Sequence, residues 1–269
     1  MSWNNYEYSP ANGMPIKLYE FSRSDIVLWR YTNTDRTISF NGQQWQPEPI
    51  SDSGLGSSDS QTLEITAPVS NPIVSLFRGM PPSDPIKVRI YRLHYNDTNQ
   101  DVRIVWVGTL TECKRQTVDS AKLVSTSLGA TFSRTGLRLT YTRTCPNALY
   151  DHRCQVNPAN YARQTAITAL DGASITANLS GVADHYYAAG YVEWAVDGFI
   201  ERRGLRDQIG NVIGVYGGTS GMTVGQKITL YPGCDRTIDV CASKFANHLN
   251  YGGITGMPGI SPYEIIKLF

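Results

Sequence analysis

Hydrophobic and polar residues alternate along much of the N-terminal half of the chain, which is the pattern of β-strands with one buried face. Ile86, Val88 and Ile90 occupy alternate positions of one such stretch. Three further strand candidates lie at 62–66, 103–111 and 122–128. Together these stretches predict a compact antiparallel barrel or sandwich over about residues 1–130.

A tight hairpin is predicted around Asn41 and Gly42. These two residues separate the strand-like stretches 37–40 and 43–45. An Asn-Gly pair accepts the positive φ angles of a two-residue type I′ turn. The polar Ser- and Gly-rich stretch at 50–61 is predicted to be a loop.

The C-terminal half returns to a β pattern and then changes period. Its clearest strand candidates lie at 191–198 and 227–230. Apolar residues then recur at spacings of three and four, which predicts a helix over 237–250 that ends before Gly252 and Gly253. The residues with this spacing are Ile238, Cys241, Phe245 and Leu249. The Gly- and Pro-rich stretch after them is expected to wrap over the surface as an ordered tail.

These patterns predict a mainly β protein with a short C-terminal helix. We predict four segments, which are an N-terminal β domain at 1–132, a connecting segment at 133–170, a second β domain at 171–232, and a C-terminal helix and tail at 233–269.

Composition narrows the classes of function. The 269 residues carry a net charge of +1, so no overall electrostatic bias points to nucleic acid or an anionic membrane. The N-terminus has no basic and apolar leader, and the longest apolar run is too short to cross a bilayer. We therefore expect a soluble protein made in a reducing cytosol, where paired cysteines bind metal more often than they form disulfides. The sixteen tyrosines and five tryptophans favour a protein with large interfaces.

Four cysteines in two pairs are the main candidates for chemistry. The pairs are Cys145-x8-Cys154 and Cys234-x6-Cys241, far apart in the chain. Four thiolates complete the shell of a structural zinc ion or an iron–sulfur cluster, and both thiols of the second pair would lie near the N-terminus of the predicted helix, where negative charge is favoured. The spacing does not choose the metal, and two disulfides or unrelated buried thiols are the alternatives.

Five arginines surround the first pair, with Asp151 as the only opposite charge. They are Arg134, Arg138, Arg143, Arg153 and Arg163. They form either a solvated or interface surface, or a set of donors to an anionic thiolate site. His152 could likewise donate to the site or lie on the surface. Cys113 has no partner at motif spacing and is predicted to be a small buried hydrophobe.

No catalytic motif accompanies these residues. The sequence contains no H-E-x-x-H, no Walker loop, no nucleophile-elbow serine and no C-x-x-C pair. We therefore expect no enzymatic activity and no small-molecule substrate. Two alternatives stay open, a metal-dependent redox protein and a zinc-stapled nucleic-acid-binding module that uses the arginines.

Two segments carry a family resemblance. The segment 141–156 contains Cys145, Leu149-Tyr150-Asp151 and Cys154, and the segment 234–259 contains Cys234, Cys241 and Gly252-Gly253. Both resemble the hub proteins of long non-contractile phage tails and of gene transfer agents, a family that includes the tail tip proteins of lambda-like phages. The stretch 28–50 is similar to the N-terminal hub domain of the same group.

The resemblance implies a fold and a cofactor. The fold would be two tube-like β-barrel or sandwich domains joined by a cysteine-ligated cluster segment. In relatives, four cysteines at matching spacing bind a [4Fe-4S] cluster, so the implied ligands are Cys145, Cys154, Cys234 and Cys241, with zinc as the alternative. The cluster would tie the segment after the first β domain to the segment after the second.

The resemblance also implies partners and a location. The expected assembly is a homotrimer in the tail of the virion, put together in the host cytoplasm. It would bind a tail tube or distal tail ring protein and a central fibre or tip protein. DNA would pass through its lumen without sequence-specific binding.

Overall fold

The chain folds into two units, each built mainly of β-strands, as the sequence predicts. The computed structural model describes residues 3–9, 13–54, 61–97, 99, 101–133, 136 and 141–258. The units are Met1–Arg134 and Thr135–Phe269. Among the described residues, no helix has the length and apolar character needed to span a membrane.

The N-terminal unit is a nine-stranded sheet. Its strands are β1 (Pro15–Arg23), β2 (Ile26–Thr32), β3 (Ile38–Phe40), β4 (Gln43–Pro47), β5 (Ser51–Asp52), β6 (Thr62–Pro68), β7 (Ile86–His94), β8 (Arg103–Arg115) and β9 (Ser120–Ser127). They lie in the order β3-β4-β2-β1-β7-β8-β9-β6-β5. All pairs are antiparallel except β2 with β4.

Strand alternation builds the core of this unit. Ile86, Val88 and Ile90 are buried while the residues between them are exposed, so the predicted period of two is confirmed. These side chains pack with Tyr19 and Phe21 of β1 in one apolar cluster. Three short helices accompany the sheet, α1 (Trp3–Glu7), α2 (Pro72–Leu76) and α3 (Leu128–Phe132).

The predicted hairpin is confirmed. Phe40 pairs with Gln43, and the two residues between them have positive φ angles, 48° at Asn41 and 70° at Gly42. Because an L-residue larger than asparagine or glycine is strained at such angles, this dipeptide fixes the register of β3 and β4.

An ion pair with a buried carboxylate joins two strands, β5 and β1, that are not neighbours in this sheet. Asp52 of β5 accepts hydrogen bonds from Lys17 Nζ and from the Tyr19 hydroxyl, each at 2.7 Å. Strands β7, β8, β9 and β6 separate β5 from β1 in the sheet. The sheet therefore curls around its core until its last strand reaches β1.

The C-terminal unit is a closed six-stranded barrel. Its strands are β10 (Arg163–Asp171), β11 (Ser174–Ala177), β12 (Tyr191–Val196), β13 (Phe199–Ile209), β14 (Val212–Val215) and β15 (Lys227–Tyr231). They close in the order β10-β11-β14-β13-β12-β15. The barrel begins at Arg163, so all of its first strand except Asp171 lies within the predicted connecting segment at 133–170. That strand alternates only weakly between apolar and polar residues. It is a strand because it pairs with both β11 and β15, which closes the barrel.

The predicted C-terminal helix is shorter than its apolar spacing indicates. Helix α4 spans Ile238–Ser243, and a separate 3-10 helix spans His248–Asn250. Ala246, at φ 50°, turns the chain between them. Cys241 and Phe245 are buried as predicted, but Ile238 and Leu249 are exposed, Leu249 at 88%. The prediction of one helix over 237–250 was therefore wrong.

Candidate metal centre

Both cysteine pairs lie in the C-terminal unit, on either side of the barrel sequence. Cys145 and Cys154 precede β10, and Cys234 and Cys241 follow β15. The site therefore lies where the chain enters and leaves the barrel. All five cysteines of the chain are free thiols.

The first pair is held by a tight turn around Asp151. Its Oδ1 accepts hydrogen bonds from the backbone N–H groups of Arg153 and Cys154, at 2.9 and 2.6 Å. These hydrogen bonds, that of Cys154 first, lower the pKa of the Asp151 carboxyl. Tyr150 and Gln155 flank the turn with positive φ angles of 69° and 61°. Local hydrogen bonding thus orients the backbone at Cys154.

The second pair is placed by the start of helix α4. The Thr237 hydroxyl caps the helix by accepting from the N–H of Val240 at 3.3 Å. Cys234 lies before the cap and Cys241 one turn inside the helix, as the sequence predicts. The N–H of Cys145 donates to the carbonyl oxygen of Arg236 at 3.0 Å, which joins the two pairs through their backbones.

The four thiols line one cavity of about 210 Å³. Cys154 and Cys241 are buried, and Cys145 and Cys234 are half-buried. The remaining lining residues are Asn147, Ala148, Leu149, Val156, Ala189, Arg236, Thr237, Phe245 and Asn250. The structure thus brings together all four cysteines that the sequence analysis singled out.

Among the described residues, amide groups and not guanidinium groups hydrogen-bond to the sulfurs. The backbone N–H of Arg236 lies 3.3 Å from Cys234 Sγ, and that of Gly252 lies 3.4 Å from Cys145 Sγ. The side-chain amide of Asn247 lies 3.7 Å from Cys154 Sγ. Backbone and amide donors need no long side chain to be immobilised, which is why they reach this confined site.

Of the two interpretations of the nearby arginines, donation to the thiols finds no support among the described residues. The Arg163 guanidinium donates instead to the carbonyl oxygens of Asn178 and Ser180. Arg143, Arg153 and His152 are exposed. Arg134 and Arg138 lie outside the described residues.

Mutual proximity affects the ionisation of the thiols. Burial raises the pKa of Cys234 and of Cys241, and repulsion from the other thiolates of the cavity raises both further. More than one thiolate in this space is therefore unfavourable without a compensating charge. A thiophilic metal ion or cluster in the cavity would supply that charge.

Lys244 places a cation at the edge of the site, which the sequence analysis missed. Its Nζ donates to the carbonyl oxygen of Gly233 at 2.8 Å and lies 4.4 Å from the Tyr186 ring centroid. Burial lowers the pKa of Lys244, while Cys234 and Asp235 favour its charged form. These contacts arise from folding, because Tyr186 lies far from Lys244 in the sequence.

An aromatic cluster supports the cavity from the barrel side. The ring of Phe245 packs edge-on against Tyr161 at 5.0 Å and Tyr150 at 6.3 Å. The Tyr150 hydroxyl donates to the carbonyl oxygen of Pro232 at 2.9 Å. Tyr150 therefore links the first cysteine segment to the second.

The segment after Asn250 closes the other side of the site. Gly253 packs so closely that a Cβ atom there would lie 2.5 Å from the carbonyl oxygen of Arg143. The N–H of Ile254 donates to the carbonyl oxygen of Thr142 at 2.9 Å. The Gly252-Gly253 pair thus serves close packing and not the end of a helix. The predicted ordered tail is described as far as residue 258.

The donor set fits a thiolate-ligated group. Within the described ranges, no three His, Cys, Asp or Glu side chains lie together so that they could hold a metal ion as they stand. The arrangement is instead a cavity with four thiols in its wall. Cys113 lies apart from this set, on β8 of the N-terminal unit, where it packs partly buried against that unit's core.

Comparison with known proteins identifies the family. Residues 16–157 match the family described as baseplate hub protein, N-terminal attachment domain. Residues 185–260 match the family described as phage conserved hypothetical protein BR0599. A search of curated proteins found no significant match.

The fold also matches a solved structure. A chain in the virion of a native gene transfer agent particle aligns with a TM-score of 0.77 at 18% sequence identity, over 98% of this chain and 94% of that chain. At this identity the likeness concerns the fold. The attachment-domain family matches more than half of the residues of the present chain. This chain therefore belongs to the baseplate hub proteins of phage tails.

Proposed function

We propose that this chain is a non-enzymatic structural hub that joins the tail tube to the distal tip or fibre apparatus. We propose further that a [4Fe-4S] cluster on Cys145, Cys154, Cys234 and Cys241 staples its C-terminal unit. The family match supports the first part, since its description names a baseplate hub and an attachment domain.

One observation carries the proposal of a staple. Four thiols from segments on both sides of the barrel sequence line a single cavity of about 210 Å³. All-cysteine ligation is the usual ligand set of a [4Fe-4S] cluster. When bound, the cluster would bond to all four sulfurs and so cross-link the chain where it enters and leaves the barrel. Its role would be a clamp and not electron transfer.

The assembly follows from the same proposal. The hub would be a homotrimer that binds a tail tube or distal tail ring protein on one side and a central fibre or tip protein on the other. DNA would pass through its lumen without base-specific contacts, and the net charge of +1 is compatible with such passage. The resemblance to hubs of long non-contractile tails supports this arrangement.

The first experiment is iron, sulfide and zinc analysis of protein purified without oxygen. We expect a coloured protein with about four irons per chain and no zinc. One zinc and no colour would keep a metal staple but contradict the cluster. Absence of any metal would contradict the staple.

Cysteine variants test what the site does. Cys145→Ser and Cys241→Ser should lose the metal and fail to form trimers and infectious tails, because the clamp at the barrel ends is opened. Cys113→Ser is the matched control, since it removes a thiol from the other unit, and it should retain both metal and assembly. Normal tail assembly by the Cys145→Ser and Cys241→Ser variants would contradict the structural role.

A further inference from the structure

We propose that Asn247 is the positioning residue that joins the two cysteine pairs and tunes the group they bind. The inference rests on the proposed cluster and adds a role for a residue that is not one of its ligands. Asn247 lies after helix α4, at the turn where the chain leaves the helical conformation.

Asn247 contacts one cysteine of each pair. Its side-chain amide donates to the carbonyl oxygen of Cys154 at 2.5 Å and lies 3.7 Å from Cys154 Sγ. Its backbone N–H donates to the carbonyl oxygen of Cys241 at 2.9 Å, and in the metal-free protein its carbonyl oxygen also accepts from the Cys241 thiol at 3.3 Å. One residue therefore fixes the distance between two ligands that are far apart in the chain.

The amide of Asn247 is held in one orientation. Its Oδ1 accepts a hydrogen bond from Asn250 Nδ2 at 2.7 Å, so its NH2 group faces Cys154. Asn250 is itself tied to the first cysteine segment, because its carbonyl oxygen accepts from Asn147 Nδ2 at 3.4 Å. The position requires a donor and an acceptor on one short side chain, which asparagine provides and aspartate does not.

This geometry should affect the reduction potential of the proposed cluster. Hydrogen bonds to cluster sulfurs are among the factors that set the reduction potential of an iron–sulfur centre. A donor aimed at Cys154 Sγ favours the more negative, reduced form. Loss of that donor should therefore lower the reduction potential, and it should also weaken the binding of the metal by its ligands.

The test compares two Asn→Asp variants of the full chain. Asn247→Asp keeps the acceptor and loses the donor. Asn157→Asp is the control, since Asn157 is exposed and uses only its Oδ1, as acceptor from the N–H of Ala159. It adds the same charge near the first cysteine pair without removing a donor. Each protein is measured for iron content, reduction potential and rate of metal loss to a chelator.

We expect Asn247→Asp to have a lower reduction potential and to bind metal about 10–100-fold more weakly, the usual range for a lost partner of a metal ligand, so that it loses metal faster to the chelator. Asn157→Asp should behave as wild type. Equal shifts in both variants would show a charge effect and overturn the proposal, as would wild-type behaviour of Asn247→Asp. If Asn247→Asp does not fold, Asn250→Ala replaces it in the test. Asn250→Ala removes the hydrogen bond that orients the Asn247 amide, so it should shift the reduction potential in the same direction. No shift would overturn the proposal.

The two proposals fail in different ways. Wild-type protein without iron would contradict the cluster itself. Wild-type protein that holds a cluster whose potential and retention are insensitive to Asn247 would contradict only the role of Asn247.

Discussion

At the residue scale, Asp52 is a buried carboxylate of the N-terminal unit that is held by two hydrogen-bonding partners. Its side chain is 1% exposed and accepts hydrogen bonds from Lys17 and Tyr19. Burial would raise the pKa of Asp52, but these two hydrogen bonds outweigh it, so the pKa is lowered. We expect Asp52→Asn to destabilise this unit by about 2 kcal/mol at pH 7, the range for a lost hydrogen bond to a charged group. Urea unfolding of the full chain measures the change.

The pH dependence of this effect has a definite sign. A carboxyl group whose pKa is lowered on folding stabilises the folded state above its unfolded pKa and loses that contribution as pH falls. The difference between wild type and Asp52→Asn should thus be full at neutral pH and shrink below the ordinary carboxyl pKa of 3.8. Asp25→Asn is the control, since Asp25 forms an exposed ion pair with Lys87 and should change stability little. Equal destabilisation by the two variants would contradict a special role for the buried pair.

Single residues also show where sequence reasoning reached its limit. The four cysteines were found because their residue type and pairing carry chemistry on their own. Asn247 and Lys244 were not found as parts of the site, because asparagine and lysine are common surface residues. The role of Asn247 arises from its contact with Cys154, and that of Lys244 from its contact with Tyr186; both partners lie far away in the chain. For the arginines near the first pair the sequence left two interpretations open, a surface set or donors to the thiols, and the described Arg163 donates to Asn178 and Ser180 instead of to a thiol.

At the element scale, local sequence patterns predicted the structure correctly where a particular backbone conformation restricts the residue type. The hairpin at Asn41 and Gly42 was predicted because few residues accept its φ angles. The helix over 237–250 was extended too far because its apolar spacing continues to Leu249. The chain turns at Ala246 so that Phe245 can enter the aromatic cluster and Asn247 can reach Cys154. Tertiary contacts there override the helical period.

Helix α4 depends on its cap, which gives an element-scale prediction. The Thr237 hydroxyl accepts from Val240 and also donates to Asp235 Oδ1 at 2.7 Å. Thr237→Ala should cost about 1 kcal/mol of stability in the C-terminal unit, because the cap is lost. It should also make Cys241 react faster with a thiol reagent in metal-free protein, since the helix start carries that residue. Thr237→Ser keeps the hydroxyl and should restore both values, and failure of serine to do so would contradict a capping role.

At the scale of the whole molecule, the cysteine site belongs to one unit. All four cysteines lie within Thr135–Phe269, on either side of the barrel strands. The proposed staple would restrict the unfolded chain and so stabilise the barrel, by about 4 kcal/mol on a disulfide-like estimate for a loop of this length. The N-terminal unit has its own apolar core, in which Cys113 is only a partly buried neighbour. Opening the staple should therefore destabilise one unit and not the other.

Hydrogen exchange on the full chain tests that separation. In Cys145→Ser, amides of β10 to β15 that exchange only through unfolding of the barrel should speed up by as much as about a thousandfold, the equivalent of the lost loop constraint. Amides of β1 to β9 should keep their wild-type rates, because no strand of that sheet is closed by the staple. Cys113→Ser should leave the barrel amides unchanged. A parallel rise in both units would mean that they unfold together, and the cysteine site would then stabilise the whole hub instead of its C-terminal unit alone.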